Sequence, residues 1–366
     1  MIAEKEIVNP IPMRTWRWLG VNAAQLRQEL PTMGIYDKKP LIEEMAGMQS
    51  IKNQKGIPAD VAAYAAKIDC GLSEAMDKTV SAVCNSGYVI EIAVNEQRPQ
   101  PIQLRYVLDE AAPSLTDEHI IVARENSEAT VIISYAGDGR LFHNGRTRVY
   151  AEKGAKLHLI KVQLLAGEAQ QLDAIGAYAE AGACIDATVV EIGAARSVTS
   201  LKINLAGDES TADIKTIYFG DGTRELDMNY IIRQEGKKTD GHMEIQGALL
   251  DKSQKIFRGT LDFIRGSKGS VGREAENVVV LSPDVRNRSV PLMLSGEDDV
   301  DGHHAVSVGK MDENKLFYLM SRGLSLRDAE KMVIAASFQP ALQRIPDEEI
   351  KGQIEEYIRR RLANVE

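Results

Sequence analysis

The 366-residue sequence is poor in sulfur and in rings, with three cysteines and only 5% aromatic residues. Cys70, Cys84 and Cys184 are odd in number and form no CxxC pair, which argues against a disulfide framework and against a metal site built from cysteines alone. No stretch approaches the roughly 18 apolar residues that a membrane span needs. Met1–Pro12 has no basic region leading into an apolar one, so no secretory signal is read there and a cytoplasmic protein is expected. The phosphate-binding pattern GxxxxGK[ST] is also missing, because Gly309-Lys310 is followed by Met311 and Gly236-Lys237 by Lys238. The chain is therefore expected to have no ATP site of its own by that route.

Nucleophilic catalysis finds no footing either. There is no G-x-S-x-G elbow, and Cys184 shares its strand face with Asp186, a carboxylate that raises rather than lowers a thiol pKa. Positive charge is in deficit: 44 Lys and Arg stand against 53 Asp and Glu, a net charge of -9. Neither a nucleic acid nor an anionic membrane is an expected partner on that balance. The run Arg359-Arg360-Arg361 follows Glu355-Glu356 and suits the cation-favouring end of a helix.

What is present falls into three parts: an N-terminal helical region (1–87), a β core (88–304) and a C-terminal helical domain (305–366). In the first, Asn22–Leu30 and Pro58–Lys67 have helical character, stopped and started by proline. Trp16 and Trp18, two apart, are expected to anchor an extended segment to the body. In the β core, short β-branched runs alternate with Gly, Asp and Asn turns. A turn-then-alternation unit begins at Asn126, Gly154, Gly182, Gly207 and, more loosely, Gly236, at spacings of 28, 28, 25 and 29 residues. Such a recurrence predicts stacked coils. Ala155, Leu157 and Leu159 oppose Lys156 and His158, and Ala183, Ile185, Ala187 and Val189 oppose Cys184, Asp186 and Thr188, so each strand buries one face. Small aliphatic inward residues suit a narrow parallel β-helix better than a propeller, whose blades carry aromatic signatures. Helical flanks are expected to cap its ends.

The C-terminal part predicts three helices: one capped by Asp312 and running through Arg322, one opened by Ser325 and Asp328, and one opened by Pro346-Asp-Glu-Glu. In the last, Ile350, Ile354, Tyr357, Ile358 and Leu362 form an apolar stripe, read as core.

Histidine supplies the main candidate chemistry. His119, His143, His158 and His242 are scattered singly, whereas His303 and His304 are adjacent and follow Asp298, Asp299 and Asp301. Imidazole is well suited to metal ligation near neutral pH, and carboxylates orient it or join it as ligands. In an extended segment only one of the two histidines faces a given surface. A polar turn is the plain alternative.

At this junction the sequence resembles a known family. Phe257-Arg-Gly259, Asn277-Val-Val-Val-Leu-Ser282, Pro291-Leu-Met-Leu294, Asp299-Val-Asp-Gly-His-His-Ala-Val-Ser-Val-Gly309 and Leu316-Phe-Tyr-Leu-Met-Ser-Arg-Gly-Leu-Ser325 are similar to the SufB/SufD family of iron-sulfur cluster assembly scaffolds. The resemblance implies a right-handed parallel β-helix with a C-terminal helical domain, in a complex of a SufB subunit, a SufD subunit and the ABC-type ATPase SufC. It implies a non-catalytic subunit that shares a transient iron-sulfur cluster at a subunit interface. By position His304 matches the histidine of the SufD-like pattern Cys-Ser-His-Gly-Ala-Thr-Val-Gly, while Gly302, His303 and Ala305 replace its cysteine, serine and glycine. His304 is thus the implied metal ligand, His303 an additional cofactor-binding candidate, and a SufD-like role is favoured over a SufB-like one. Leu316, Phe317, Tyr318, Met320, Arg322 and Gly323 match the region that engages SufC, and Val278–Leu294 matches the strands that join the scaffold subunits. Three alternatives remain: a SufB-like scaffold dimerising with itself alongside SufC, a structural subunit with no ligand, and a polysaccharide-active β-helix enzyme.

Overall fold

Parity along the strands decides what is inside. In the computed structural model, which describes residues 6–15, 17–26, 36, 38, 40–42, 47–51 and 56–363, alternate side chains enter a narrow interior and the others face two outer surfaces. Short strands β1 (Glu6–Val8), β2 (Ala24–Leu26) and β3 (Met48–Ser50) precede helices α1 (Ala59–Ala65) and α2 (Glu74–Val83). Next come β4 (Ser86–Ile92), β5 (Ile102–Val107), β6 (Ser114–Ala123), β7 (Glu128–Gly137), β8 (Phe142–Ala151), β9 (Lys156–Leu165), β10 (Gln170–Ala179) and β11 (Cys184–Glu191). The run continues through β12 (Arg196–Leu205), β13 (Thr211–Gly220), β14 (Glu225–Gln234), β15 (Asp240–Leu249), β16 (Gln254–Phe263), β17 (Ser270–Val280), β18 (Arg286–Ser295) and β19 (Val300–Gly309). Helices α3 (Glu313–Ser321), α4 (Leu326–Leu342) and α5 (Glu348–Ala363) follow.

Even-numbered strands β4 to β18 stack in order, with β3 at one end, as a nine-stranded sheet; odd-numbered strands β5 to β19 form an eight-stranded one. Pairing between successive even strands and between successive odd strands is parallel. The chain therefore crosses from sheet to sheet at every turn, and each coil gives one strand to each: a parallel β-helix, as the repeats predict. The repeat starts are the corners leading into the odd sheet. Asn126, Gly154 and Gly182 hold φ of 55°, 67° and 64° there, the left-handed region that glycine and asparagine enter at least strain. The strands overrun the expected edges of the β core, since β4 starts at Ser86 and β19 ends at Gly309.

The N-terminal part departs from the expectation. Residues 24–26 of the expected Asn22–Leu30 helix form β2, antiparallel to β1, and residues 27–30 lie outside the described ones. Alternation wins over helix propensity because Ala24 and Leu26 are buried with Val8 against Phe142, Leu172 and Val198 of the even sheet. Trp18 is 80% exposed and anchors nothing, while Trp16 lies outside the described residues. Polar bonds pin the segment instead. Asn9 donates to the Thr199 carbonyl (3.1 Å) and to Asp227 (2.8 Å), and Arg258 donates to the Val21 carbonyl and to both Asp227 oxygens.

Each outer face is covered over part of its length. Helix α1 packs Val61 and Ala65 on Val89, Ile120 and Val122 of the even sheet. On the odd sheet Ile160, Val190, Ile217 and Phe219 meet Phe338 of α4 and Ile350, Ile354, Ile358 and Leu362 of α5, so the predicted stripe is core. The three C-terminal helices start as expected. Asp312 accepts from Asn314 and Lys315, Ser325 accepts from Asp328, and Asp347 accepts from Ile350. Among the described residues no helix is long and apolar enough to cross a membrane.

The interior is aliphatic along much of each coil but carries a polar seam that the sequence alone does not reveal. His119 and His143, expected to be isolated, converge on Asp117 at 3.4 and 3.3 Å. Burial works to raise the Asp117 carboxyl, but the two imidazoles outweigh it and hold it well below the usual range. Farther along, Lys161 donates to Tyr135, Thr147 and Asp173, and Glu191 accepts from Ser197 (2.7 Å) and Thr199 (2.8 Å). The bonds from Lys161 to Thr147 and Asp173 and from Glu191 to Ser197 and Thr199 cross between the sheets, and all of these bonds satisfy groups that would be costly to bury alone.

Glu191 supplies a pH signature. Burial pushes its carboxyl from 4.5 up to about 7, against the pull of the two hydroxyls. Between those values the folded chain keeps a proton that the unfolded chain releases, so stability is full below pH 4.5 and declines as pH rises through 7. Glu191→Gln removes that decline. The unfolding free energy of the variant, read from urea titrations, should drop less between pH 5 and 8, by an amount on the order of 3 kcal/mol; parallel pH profiles would contradict it.

Candidate functional site at the open end of the β-helix

The last coil has no coil above it. Strand β18 pairs with β16 and β19 with β17, and each ends its sheet, leaving a row of backbone donors and acceptors on its far side. Register places Gly302, His304, Val306 and Val308 over Gly272, Glu274, Glu276 and Val278. Val278 is buried one coil down, whereas Val306 and Val308 are 38% and 47% exposed. His304 occupies this inward-facing row and is exposed as well. His303 has the opposite parity and faces outward, with Nε2 2.7 Å from Asp301 Oδ1. It stands in register with Arg273, which itself contacts His242 at 2.9 Å. The structure therefore separates the two histidines.

Beneath His304 lies a group of charges. Lys255, fully buried on β16, donates to Glu276 and to Ser289 Oγ (3.0 Å), and Tyr218 donates to Glu276 at 3.2 Å. Glu274, in register with His304, is 2% exposed, yet neither of its oxygens has a hydrogen-bond partner. It reaches toward Gly259, where a Cβ would come within 2.2 Å of its Oε1. Burial and then Glu276 push the Glu274 carboxyl up to about 8, against the opposing pull of Lys255. Glu274, Glu276 and Lys255 escape a search by residue type. Their signal is parity: Gly272-Arg-Glu-Ala-Glu-Asn-Val278 puts charges at positions where earlier coils carry aliphatic residues. Among the described residues no group of three or more His, Cys, Asp and Glu is placed to hold a metal ion, so the rim can offer donors but no full ligand set.

The second candidate surface is α3. None of its residues is buried, and Phe317, Tyr318 and Met320 are exposed, the first to 75%. Leu316 differs, being half-buried against the helical core. Arg322 ends the helix with its guanidinium 5.3 Å from the Tyr318 ring centre, and Gly323 follows at φ 96°. Tyr318, Leu319, Met332 and Val333 line an open apolar groove of about 460 Å³ between α3 and α4. The cysteines lie apart from both surfaces. Burial pushes Cys70 and Cys84 up to about 12, and burial together with Asp186 raises Cys184, so none is a ready thiolate.

The family profile described as SUF system FeS cluster assembly, SufBD core domain, matches residues 106–337, which takes in the greater part of the β-helix, the rim and α3. The chain belongs to the SufBD core family. It is 26% identical to the iron-sulfur cluster assembly protein SufD of Bacillus subtilis over 77% of its own length and 65% of that protein's. A SufBD family protein of Pyrococcus horikoshii is 25% identical over 75% of this chain and 62% of its own length, and a chloroplastic one of Arabidopsis thaliana 23% over 73% and 50%. This SufBD chain thus spans about one half to two thirds of the length of these relatives. The motif resemblance in the last coils and the fold agree with the match, and the polysaccharide-enzyme alternative falls.

Proposed function

We propose that this SufBD chain is a SufD-like, non-catalytic scaffold subunit of a SufBCD-type complex, presenting His304 as a ligand to a transient iron-sulfur cluster at its interface with a SufB-like subunit. One observation carries the reading. His304 is exposed on the inward-facing row of a coil whose two strands end their sheets, which supports a reading in which a chain that extends the β-helix covers the imidazole and adds the remaining donors. His303, turned outward onto Asp301, stands apart from that set. A SufC-like ATPase would hydrolyse ATP and seat on Phe317, Tyr318 and Met320, large apolar groups whose exposure on one short helix suits a docking surface.

The test is co-expression with a SufB-like and a SufC-like protein and anaerobic purification. His304→Ala should leave the complex assembled while bound iron and sulfide fall roughly tenfold, the scale of losing a ligand contact worth about 1.4 kcal/mol. Phe317→Asp should release the ATPase and spare scaffold pairing. Unchanged iron and sulfide in His304→Ala would remove the ligand role.

A further inference from the structure

Glu274 is the buried group at the rim that the scaffold reading leaves without a task. Two carboxylates, Glu274 and Glu276, lie under the last coil with a single ammonium, Lys255, and that ammonium is committed to Glu276 and Ser289. Both Glu274 oxygens are buried and unpartnered, an arrangement that native interiors avoid unless a cation or a proton completes it. The fold also keeps space for the carboxylate, because Gly259 faces Oε1 and any side chain there would collide with it. Directly above, at the same register position, stands the exposed imidazole of His304. Neighbouring strands are about 4.8 Å apart, and carboxylate and imidazole each bind divalent transition ions at about 2 Å, so groups stacked at one register position can share one ion.

We propose that Glu274 is the second ligand of the rim site, binding a divalent cation of intermediate hardness, such as ferrous iron, between its carboxylate and His304. This inference rests on the scaffold reading for His304 and adds to it. One carboxylate and one imidazole suit ferrous iron better than an all-oxygen ion such as magnesium. With only these two donors from this chain, the ion is held firmly only when a partner strand closes the rim. Iron would thereby enter a site that supplies an oxygen ligand before any sulfide arrives.

The experiment uses the full chain in its purified anaerobic complex and cobalt(II) as the probe, whose visible absorption reports its ligands. Wild type should bind one cobalt per rim, in competition with ferrous iron. Glu274→Gln, which keeps shape and removes charge, should weaken cobalt binding at least tenfold and shift the absorption band. Gly259→Ala, which crowds the carboxylate while leaving it present, should do the same, and His304→Ala should as well. Retention of the partner subunits checks that each variant is folded. If Glu274→Gln and Gly259→Ala bind cobalt as wild type does while His304→Ala is weakened, the Glu274 role is overturned and the histidine reading stands. If all three bind as wild type does, both fall.

Discussion

Lys255→Met will destabilise the β-helix by about 3–5 kcal/mol, the penalty for leaving a buried carboxylate without its cation. Lys255 is fully buried and serves Glu276 directly, with Glu274 close enough that the same ammonium acts on it as well. Methionine fills similar space, so the loss is electrostatic rather than a cavity. The double variant Lys255→Met/Glu276→Gln should recover a large part of it, since one surplus charge leaves with the other. Urea unfolding of the three proteins decides the matter: if the single and double variants unfold at the same midpoint, the charge account is wrong.

Val306→Glu will weaken scaffold association on the order of a hundredfold, the roughly 3 kcal/mol expected when a charge is buried without a partner. Val306 lies in the exposed inward row, directly over Glu276, and a carboxylate there replaces an apolar contact and repels the one below. The isolated chain tolerates the change because water reaches the position. Sedimentation of mixtures with a SufB-like partner, alongside a melt of the variant alone, separates the two effects. Undiminished association would show that subunits do not meet at this rim.

Much of the architecture was legible from period and parity. The spacing of Asn126, Gly154, Gly182, Gly207 and Gly236 fixed the coil length because each corner turns through a left-handed residue, Asn126, Gly154 and Gly182 themselves and then Glu209 and Lys238 two positions after the last two glycines, and the alternation in β9 and β11 told inside from outside. The strand over Ala24–Leu26 was misread as helix because its burial depends on Phe142 and Leu172, far away in sequence. At the site, adjacency in sequence drew attention to His303 and His304 together, yet a strand sends neighbours to opposite faces and only His304 joins the rim. Glu274 and Lys255 stayed hidden for a related reason. A charge looks solvated until the register shows that it points inward, and register is a property of the stacked coils rather than of any one segment. The convergence of His119 and His143 on Asp117 depends on the same stacking.

The short link between the final strand and α3 has a mechanical outcome. Strand β19 ends at Gly309 and α3 starts at Glu313, with Met311 wedged between them into the helical core. A strand is already near full extension, so it has almost no slack to take up. Helix α3, with none of its residues buried, is a handle tied to a taut thread, and His304 sits halfway along that thread. Whatever grasps the handle and shifts it by a few ångströms works first against the Met311 and Leu316 fastenings and then against the β17 ladder that holds the strand of His304.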